Sequence, residues 1–272
     1  MKILFTGNRG NLGKEMIPLL EEDHVVQYYN IDYSNYDVVN SFFRNREIDF
    51  IIHAAIRGGR RVRADIADDF HNNLVMFENL AAQNIPMINI CSGAAYGRQD
   101  DIMRVNESDF GQRIPTDYYG LSKYLITHRC RQYNHVYNLR FFNVFGAQAP
   151  KDMFTTANIT NYINKREIVV FRDRFMDLFG LLDAYKVIDL YLKGDKDLPK
   201  ELNLVYPQVT LLSEVAGMIN NLSDHKVPID ILESGYDRAY CASGGELSKL
   251  NLNLDGLEKS LEYVYQSLKN AN

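Results

Sequence analysis

Apolar positions in the first 145 residues follow two alternating rhythms. Short unbroken apolar runs at 2–5, 25–29, 50–52, 86–90 and 136–141 have the length and character of buried strands. Between them, apolar residues recur three and four apart, which places them on one helical face. Leu12, Met16, Leu19 and Leu20 do so over 11–20, and Val38, Val39, Phe42 and Phe43 over 38–45. Leu74, Val75, Phe77, Leu80 and Ala81 mark a strongly apolar helix over 72–83, and a further helix is expected over 119–133. Strands separated in this way by helices predict a parallel sheet covered on both faces. Beyond about residue 146 the rhythm loosens. Strands are expected at 168–171 and 202–205, a helix at 211–222, and a last helix at 257–268 with Leu257, Leu261, Val264 and Leu268 on one packing stripe. The second half reads as a small lobe woven onto the first, without a clean linker.

Composition narrows the class. The 272 residues are 46% apolar and 24% charged, which fits a soluble globular chain and excludes disordered, collagenous and coiled-coil ones. No run approaches the ~18–20 apolar residues of a membrane span. The opening run is very short and ends at Gly7, so it reads as a strand and not as a signal peptide. A net charge of −5 argues against a surface that coats nucleic acid, while leaving room for a local basic pocket. Cys91, Cys130 and Cys241 are odd in number and widely spaced. They suggest neither a disulfide framework nor a metal site, and a reducing, cytoplasmic setting is expected.

The first chemical signal is the turn Gly7-Asn8-Arg9-Gly10-Asn11-Leu12-Gly13, between the first strand and the first helix. Glycines suit a tight turn that a pyrophosphate must approach closely, and the helix start offers free N–H groups and a positive dipole end. A nucleotide P-loop is excluded, because Lys14 is followed by Glu15 and not by Ser or Thr. The expected fold class is therefore α/β: a Rossmann-type doubly wound parallel sheet over 1–150, with a small C-terminal α/β substrate lobe over 151–272.

The second signal is Tyr119 and Lys123, one helical turn apart and so on one face. A phenol with a pKa near 10 is a poor base at neutral pH. An ammonium ~4 Å away would contribute roughly 4 kcal/mol at an effective dielectric of 20, about three pKa units, and bring it into range. Ser92 should stand at the C-terminal end of its strand, where open α/β sheets bind ligands, and its hydroxyl could hold a carbonyl or alkoxide. Tyr118 has only Ser122 at the fourth position, and Tyr96 reads as packing. His53 reads as a satisfied strand-end histidine or as a ligand, and Cys91 as a buried thiol with no activating base.

These motifs resemble, in order, those of extended short-chain dehydrogenase/reductases of the NAD(P)-dependent epimerase/dehydratase group. The resemblance rests on the GxxGxxG turn, Asp32, His53-Ala54-Ala55, Cys91-Ser92-Gly93-Ala94-Ala95-Tyr96-Gly97, Tyr119-Gly120-Leu121-Ser122-Lys123, and Leu139-Arg140-Phe141-Phe142-Asn143-Val144-Phe145-Gly146. The subgroup it looks most like is GDP-fucose synthase, with its Arg in the glycine turn and Ala54-Ala55-Ile56-Arg57-Gly58-Gly59 after the next strand. The resemblance implies a Ser92–Tyr119–Lys123 catalytic set and a nicotinamide dinucleotide. That dinucleotide would be held by Gly7 to Gly13, Asn30 or Asp32, His53, Ala54, Ala55, Tyr119 and Lys123. Arg9 would read the 2′-phosphate of NADP, or else be a solvated turn residue; NADP is favoured over NAD. Substrate contacts would fall to Ser92, Gly93, Ala94, Asn143 and Arg60, the last within a run, Arg57 to Arg63, that is equally a solvated basic loop.

Three departures shape the function expected. Met176 and Asp177 occupy the place of the family's diphosphate-binding Arg. Ala94, and Ala147-Gln148-Ala149, stand where fucose synthases carry the Cys and His of double epimerisation. Gly93 and Ala94 replace the Asp-Glu pair of the 4,6-dehydratases, so loss of water is not expected. The expected activity is reduction of a keto group on a nucleotide-linked sugar, with C-4 epimerisation as the alternative. A non-catalytic dinucleotide sensor is a third class, although such proteins commonly lose the Tyr or Lys kept here. The family also pairs the 72–83 and 119–133 helices across a two-fold axis, which implies a homodimer.

Overall fold

A computed structural model describes residues 1–59, 63–194 and 197–271. Strands and helices follow in the order β1 Lys2–Thr6, α1 Asn11–Glu21, β2 Val25–Gln27, α2 Tyr36–Arg44, β3 Phe50–His53, α3 Ala67–Ala81, β4 Met87–Ser92, β5 Ile102–Val105, α4 Tyr118–Cys130 and β6 Val136–Phe141. Then come β7 Val144–Phe145, α5 Phe154–Ile163, β8 Ile168–Asp173, β9 Phe179–Gly180, α6 Leu181–Leu192, β10 Glu201–Leu204, α7 Leu212–Asn220, β11 Ile229–Tyr236, β12 Tyr240–Ala242, α8 Gly245–Lys249 and α9 Gly256–Asn270. The chain divides into two compact units: 1–99, 107–141 and 188–202; and 100–106, 142–187 and 203–272.

The first unit is built on a sheet of order β10-β6-β4-β3-β1-β2. The pairs β2/β1, β1/β3, β3/β4 and β4/β6 are all parallel. This is the doubly wound α/β sheet expected. Its register aligns Leu4, Ile51, Met87 and Val136 in one row. Because side chains alternate with period two, this row shares a face, and it is buried with Val39, Phe42, Phe77, Leu80 and Ile126 of α2, α3 and α4. Two residues further along the same strands, the same face carries a second row: Thr6, His53, Asn89 and Asn138. At the sheet edge, fully buried Arg140 is ion-paired to Glu201 and hydrogen-bonded to the Tyr96 hydroxyl.

Several boundaries move. The second strand ends at Gln27, not 29, and the apolar helix expected over 72–83 begins earlier, at Ala67. Asp69 explains that start: its carboxylate accepts Ile66 N–H and pairs with Arg63, closing the first turn. The second unit packs α5, α7 and α9 around β8, with Ile159, Tyr162, Ile168, Val170, Val215, Ile219, Leu261 and Val264 at its centre. Helices α5 and α6 and strands β5, β11 and β12 were not read from the sequence.

Candidate active site

The turn after β1 is shaped by its glycines. Gly7 has φ +82°, and a Cβ there would lie 2.7 Å from the backbone of Ala54 and Ala55. At Gly13 a Cβ would meet Asn8 Cα at 2.7 Å. Gly10 N–H donates to Gly7 O, and α1 then starts with no side-chain cap and no acid in its first turn. Its first N–H groups, at Asn11, Leu12 and Gly13, are therefore available to an anion. This cradle fits a pyrophosphate. Arg9 is exposed on the turn, without a side-chain partner among the described residues.

Asn30 is exposed, three residues beyond the end of β2. Asp32 accepts both the N–H and the hydroxyl of Ser34 and stands 3.9 Å from the Arg57 guanidinium. The two Ser34 bonds, then that cation, lower its pKa. Arg57 is itself held by Asn73, which bridges its N–H and C=O.

The polar row of the sheet forms the floor beneath helix α4. Thr6 Oγ1 accepts Ala55 N–H and pairs with His53 Nδ1 at 2.8 Å. Burial, followed by the charge of Lys123, pushes the His53 pKa down to about 3, so its ring is neutral. Asn89 donates to Asn138, Asn138 to Thr127 Oγ1, and Thr127 to the Lys123 carbonyl. These bonds tie β4 and β6 to α4 at the turn following Lys123.

Ser92 closes β4, and its Oγ accepts Ala94 N–H at 3.2 Å. Ser92 is also hydrogen-bonded to the Tyr119 hydroxyl, which works to lower the phenol's pKa. Gly93 and Ala94 are buried in the 3-10 turn that follows. The structure therefore joins Ser92 to Tyr119, with Lys123 one turn on. The electrostatics differ from the sequence expectation. Lys123 Nζ donates to Ile90 O at 2.7 Å and lies 6.0 Å from the Tyr119 ring centroid. Burial pushes the phenol up to about 12 and pulls the buried ammonium down, so Lys123 does not acidify Tyr119 in this geometry.

Two residues around Tyr119, Arg98 and Asp65, escaped the sequence reading. Asp117 caps α4 by accepting Gly120 N–H, and Arg98 binds both its oxygens. Asp65 accepts Gly59 N–H, and a Cβ on Gly59 would meet the Tyr119 ring at 2.6 Å. A cavity of about 420 Å³ lies among Gly59, Asp65, Arg98, Asp117 and Tyr118. An Asp before an apolar helix is a readable cap signal; Arg98 carried none.

Across residues 3–203 the chain matches the model of the NAD dependent epimerase/dehydratase family. The chain belongs to that family. A search of curated proteins gives no sequence match. Among solved structures, UDP-glucose 4-epimerase of Thermotoga maritima, with UDP-glucose, is similar at 17% identity and TM-score 0.81, over 100% of this chain and 99% of that one. A GDP-L-fucose synthetase from Naegleria fowleri bound to NADP gives 15% and 0.81, over 99% and 93%. GDP-mannoheptose C4 reductase from Campylobacter jejuni, with NADP bound, gives 17% and 0.79, over 98% of each. At these identities the likeness is one of fold.

Two further expected site residues of this family member remain. Asn143 belongs to the second unit, where its amide donates to Asp177 O. Arg60 lies outside the described residues, as do Arg61 and Val62. No helix is long and apolar enough to cross a membrane among the described residues, and no His, Cys, Asp and Glu cluster there could hold a metal.

Proposed function

We propose that this protein reduces a keto group on a nucleotide-linked sugar, with NADP(H) as the hydride carrier. The observation that carries the reading is the hydrogen bond between Ser92 and Tyr119 at the C-terminal end of β4, with Lys123 one helical turn on. The dinucleotide would supply a hydride; the glycine cradle at Gly7–Gly13 would seat its pyrophosphate, with Lys123 and Tyr119 beside its reactive end. Ser92 would donate a hydrogen bond to the substrate carbonyl oxygen. Tyr119 would give that oxygen its proton as the carbon is reduced. A phenol pushed up to about 12 is protonated at neutral pH, so the proton that a carbonyl reduction requires is already in place. Arg9, exposed and without a side-chain partner among the described residues, suits a 2′-phosphate, while Asp32 is engaged by Ser34 and Arg57. Asn143, Gly93, Ala94 and Arg60 complete the proposed substrate contacts. Helices α3 and α4, which pack side by side in the first unit, would form the two-fold interface of a homodimer.

The test uses NADPH deuterated at its transferable position and a panel of nucleotide-linked 4-keto sugars. Stoichiometric NADPH consumption with deuterium in the alcohol product is expected. Interconversion of C-4 epimers without net NADPH loss would replace this reading with epimerisation, and transfer to none of the panel would remove it.

A further inference from the structure

Arg98 has no part in the chemistry above, yet it joins three segments that meet at Tyr119. Its Nε and Nη2 bind the two oxygens of Asp117, at 3.1 and 2.8 Å, and Asp117 also caps α4 through Gly120 N–H. The same guanidinium lies 3.7 Å from Asp65, whose other oxygen holds Gly59 N–H at 2.6 Å. Gly59 in turn packs directly on the Tyr119 ring, and the Arg98 guanidinium stands 5.4 Å from that ring's centroid. Ring, helix cap and Gly59 are thus held by one side chain at the wall of the 420 Å³ cavity.

The geometry points to Arg98 as a positioning residue for Tyr119, one that clamps the α4 cap, Asp65 and, through it, Gly59 around the phenol and holds a cation over it. This rests on Tyr119 being the proton carrier. Two arginine–carboxylate contacts give the planar group a fixed orientation that a lysine would not reproduce. The charged and titratable groups facing Tyr119 among the described residues are Ser92 and Cys91 of β4, Lys123 of α4, Asp117 at its cap, Asp65, and Arg98. Of these, Arg98 favours the phenolate and Asp65 opposes it. The pair therefore sets the phenol from two sides, and a change in either shifts it in a direction fixed beforehand.

Fluorine NMR of protein carrying fluorotyrosine, whose phenol ionises at lower pH, reads the Tyr119 midpoint directly; its resonance is the one missing in Tyr119→Phe. Arg98→Met should raise that midpoint by about one pH unit. Arg98→Lys, which keeps the charge and loses the fork, should restore only part of it. Asp65→Asn should lower it. General loosening of the fold would not produce shifts of opposite sign. Midpoints unchanged in both Arg98→Met and Asp65→Asn would overturn the proposal, as would shifts in the same direction. Should Arg98→Met not fold, Asp65→Asn decides alone, and an unmoved or raised midpoint there overturns it. No dinucleotide or sugar is added, so a null result would leave the hydride-transfer reading intact. Full turnover by Tyr119→Phe would fail that reading instead.

Discussion

Tyr119 is held on its protonated side by burial, with Ser92 the group that works most strongly against that shift. A phenol in this state is a weaker acid than a free tyrosine but is protonated at neutral pH, and so carries the proton an alkoxide needs. Tyr119→Phe should therefore cut turnover by about 10²–10⁴-fold, the usual share of a general acid, while calorimetry finds dinucleotide binding nearly intact. Arg9→Ala should weaken NADP(H) by roughly 1.5–3 kcal/mol, the range for a hydrogen bond to a charged group, and spare NAD(H). Equal losses for both dinucleotides would show that Arg9 does not read the 2′-phosphate. At this scale the sequence was informative where a motif fixes spacing. The Gly7–Gly13 turn, Ser92, and Tyr119 with Lys123 could all be picked out. It was blind where long-range partners decide, as with Arg98 and Asp65, which meet across 33 residues only because β4 lies beside β3. The Lys123 charge was misjudged for the same reason: a spacing of four gives a shared face, not the carbonyl of Ile90 that the ammonium chooses.

Among elements, α1 carries its own defect. Pro18 stands in the eighth position of an eleven-residue helix, where it cannot donate to the Lys14 carbonyl. Its side chain is exposed, so Pro18→Ala should stabilise the protein by about 1–3 kcal/mol in denaturant unfolding, with dinucleotide affinity unaltered. Gly7→Ala should do the reverse, since it strains φ and drives a methyl into the Ala54–Ala55 backbone. Loss of dinucleotide binding and a lower unfolding midpoint are expected together. The elements that went unread have physical reasons for their silence. In α5 the buried side includes Thr155, Thr156 and Asn158, so no apolar stripe marks it. Asn158 is buried because its amide pairs with both the N–H and C=O of Val169, as a neighbouring strand would. Helix α6 is the opposite case: buried Leu181, Ala184, Val187, Ile188, Tyr191 and Leu192 recur three and four apart, a helical period that the sequence does carry.

For the whole molecule, the two units answer to pH in opposite senses. His53, in the first, has a folded pKa of about 3, below its unfolded value near 6.5. The unfolded chain takes the proton first, so this contribution to stability is lost as pH falls from about 6.5 toward 3. Asp177, in the second, is buried with Ala242 N–H as its donor, and burial raises its pKa to about 7. Here the folded state keeps the proton, and stability is lost as pH rises from about 4 to 7. Asp177→Asn keeps an acceptor for Ala242 and should flatten that limb, gaining about 2 kcal/mol near pH 8 in urea unfolding. A variant no more stable than wild type near pH 8 would show that Asp177 is ionised without penalty. The overall architecture was legible from the alternation of strand and helix, but the edge strand β10, arriving some sixty residues after its neighbour β6, was not placed by any local pattern.

That late arrival bears on how the chain is made. Arg140 leaves the ribosome long before Glu201, and its fully buried side chain has that carboxylate as its ion-pair partner. Until residue 201 emerges, β6 lacks its neighbouring strand and Arg140 lacks the carboxylate it pairs with. The first 150 residues should therefore linger as an incomplete intermediate during synthesis, open at β6 and inclined to aggregate. Expressed alone they should be recovered in the insoluble fraction, and the full chain in the soluble one.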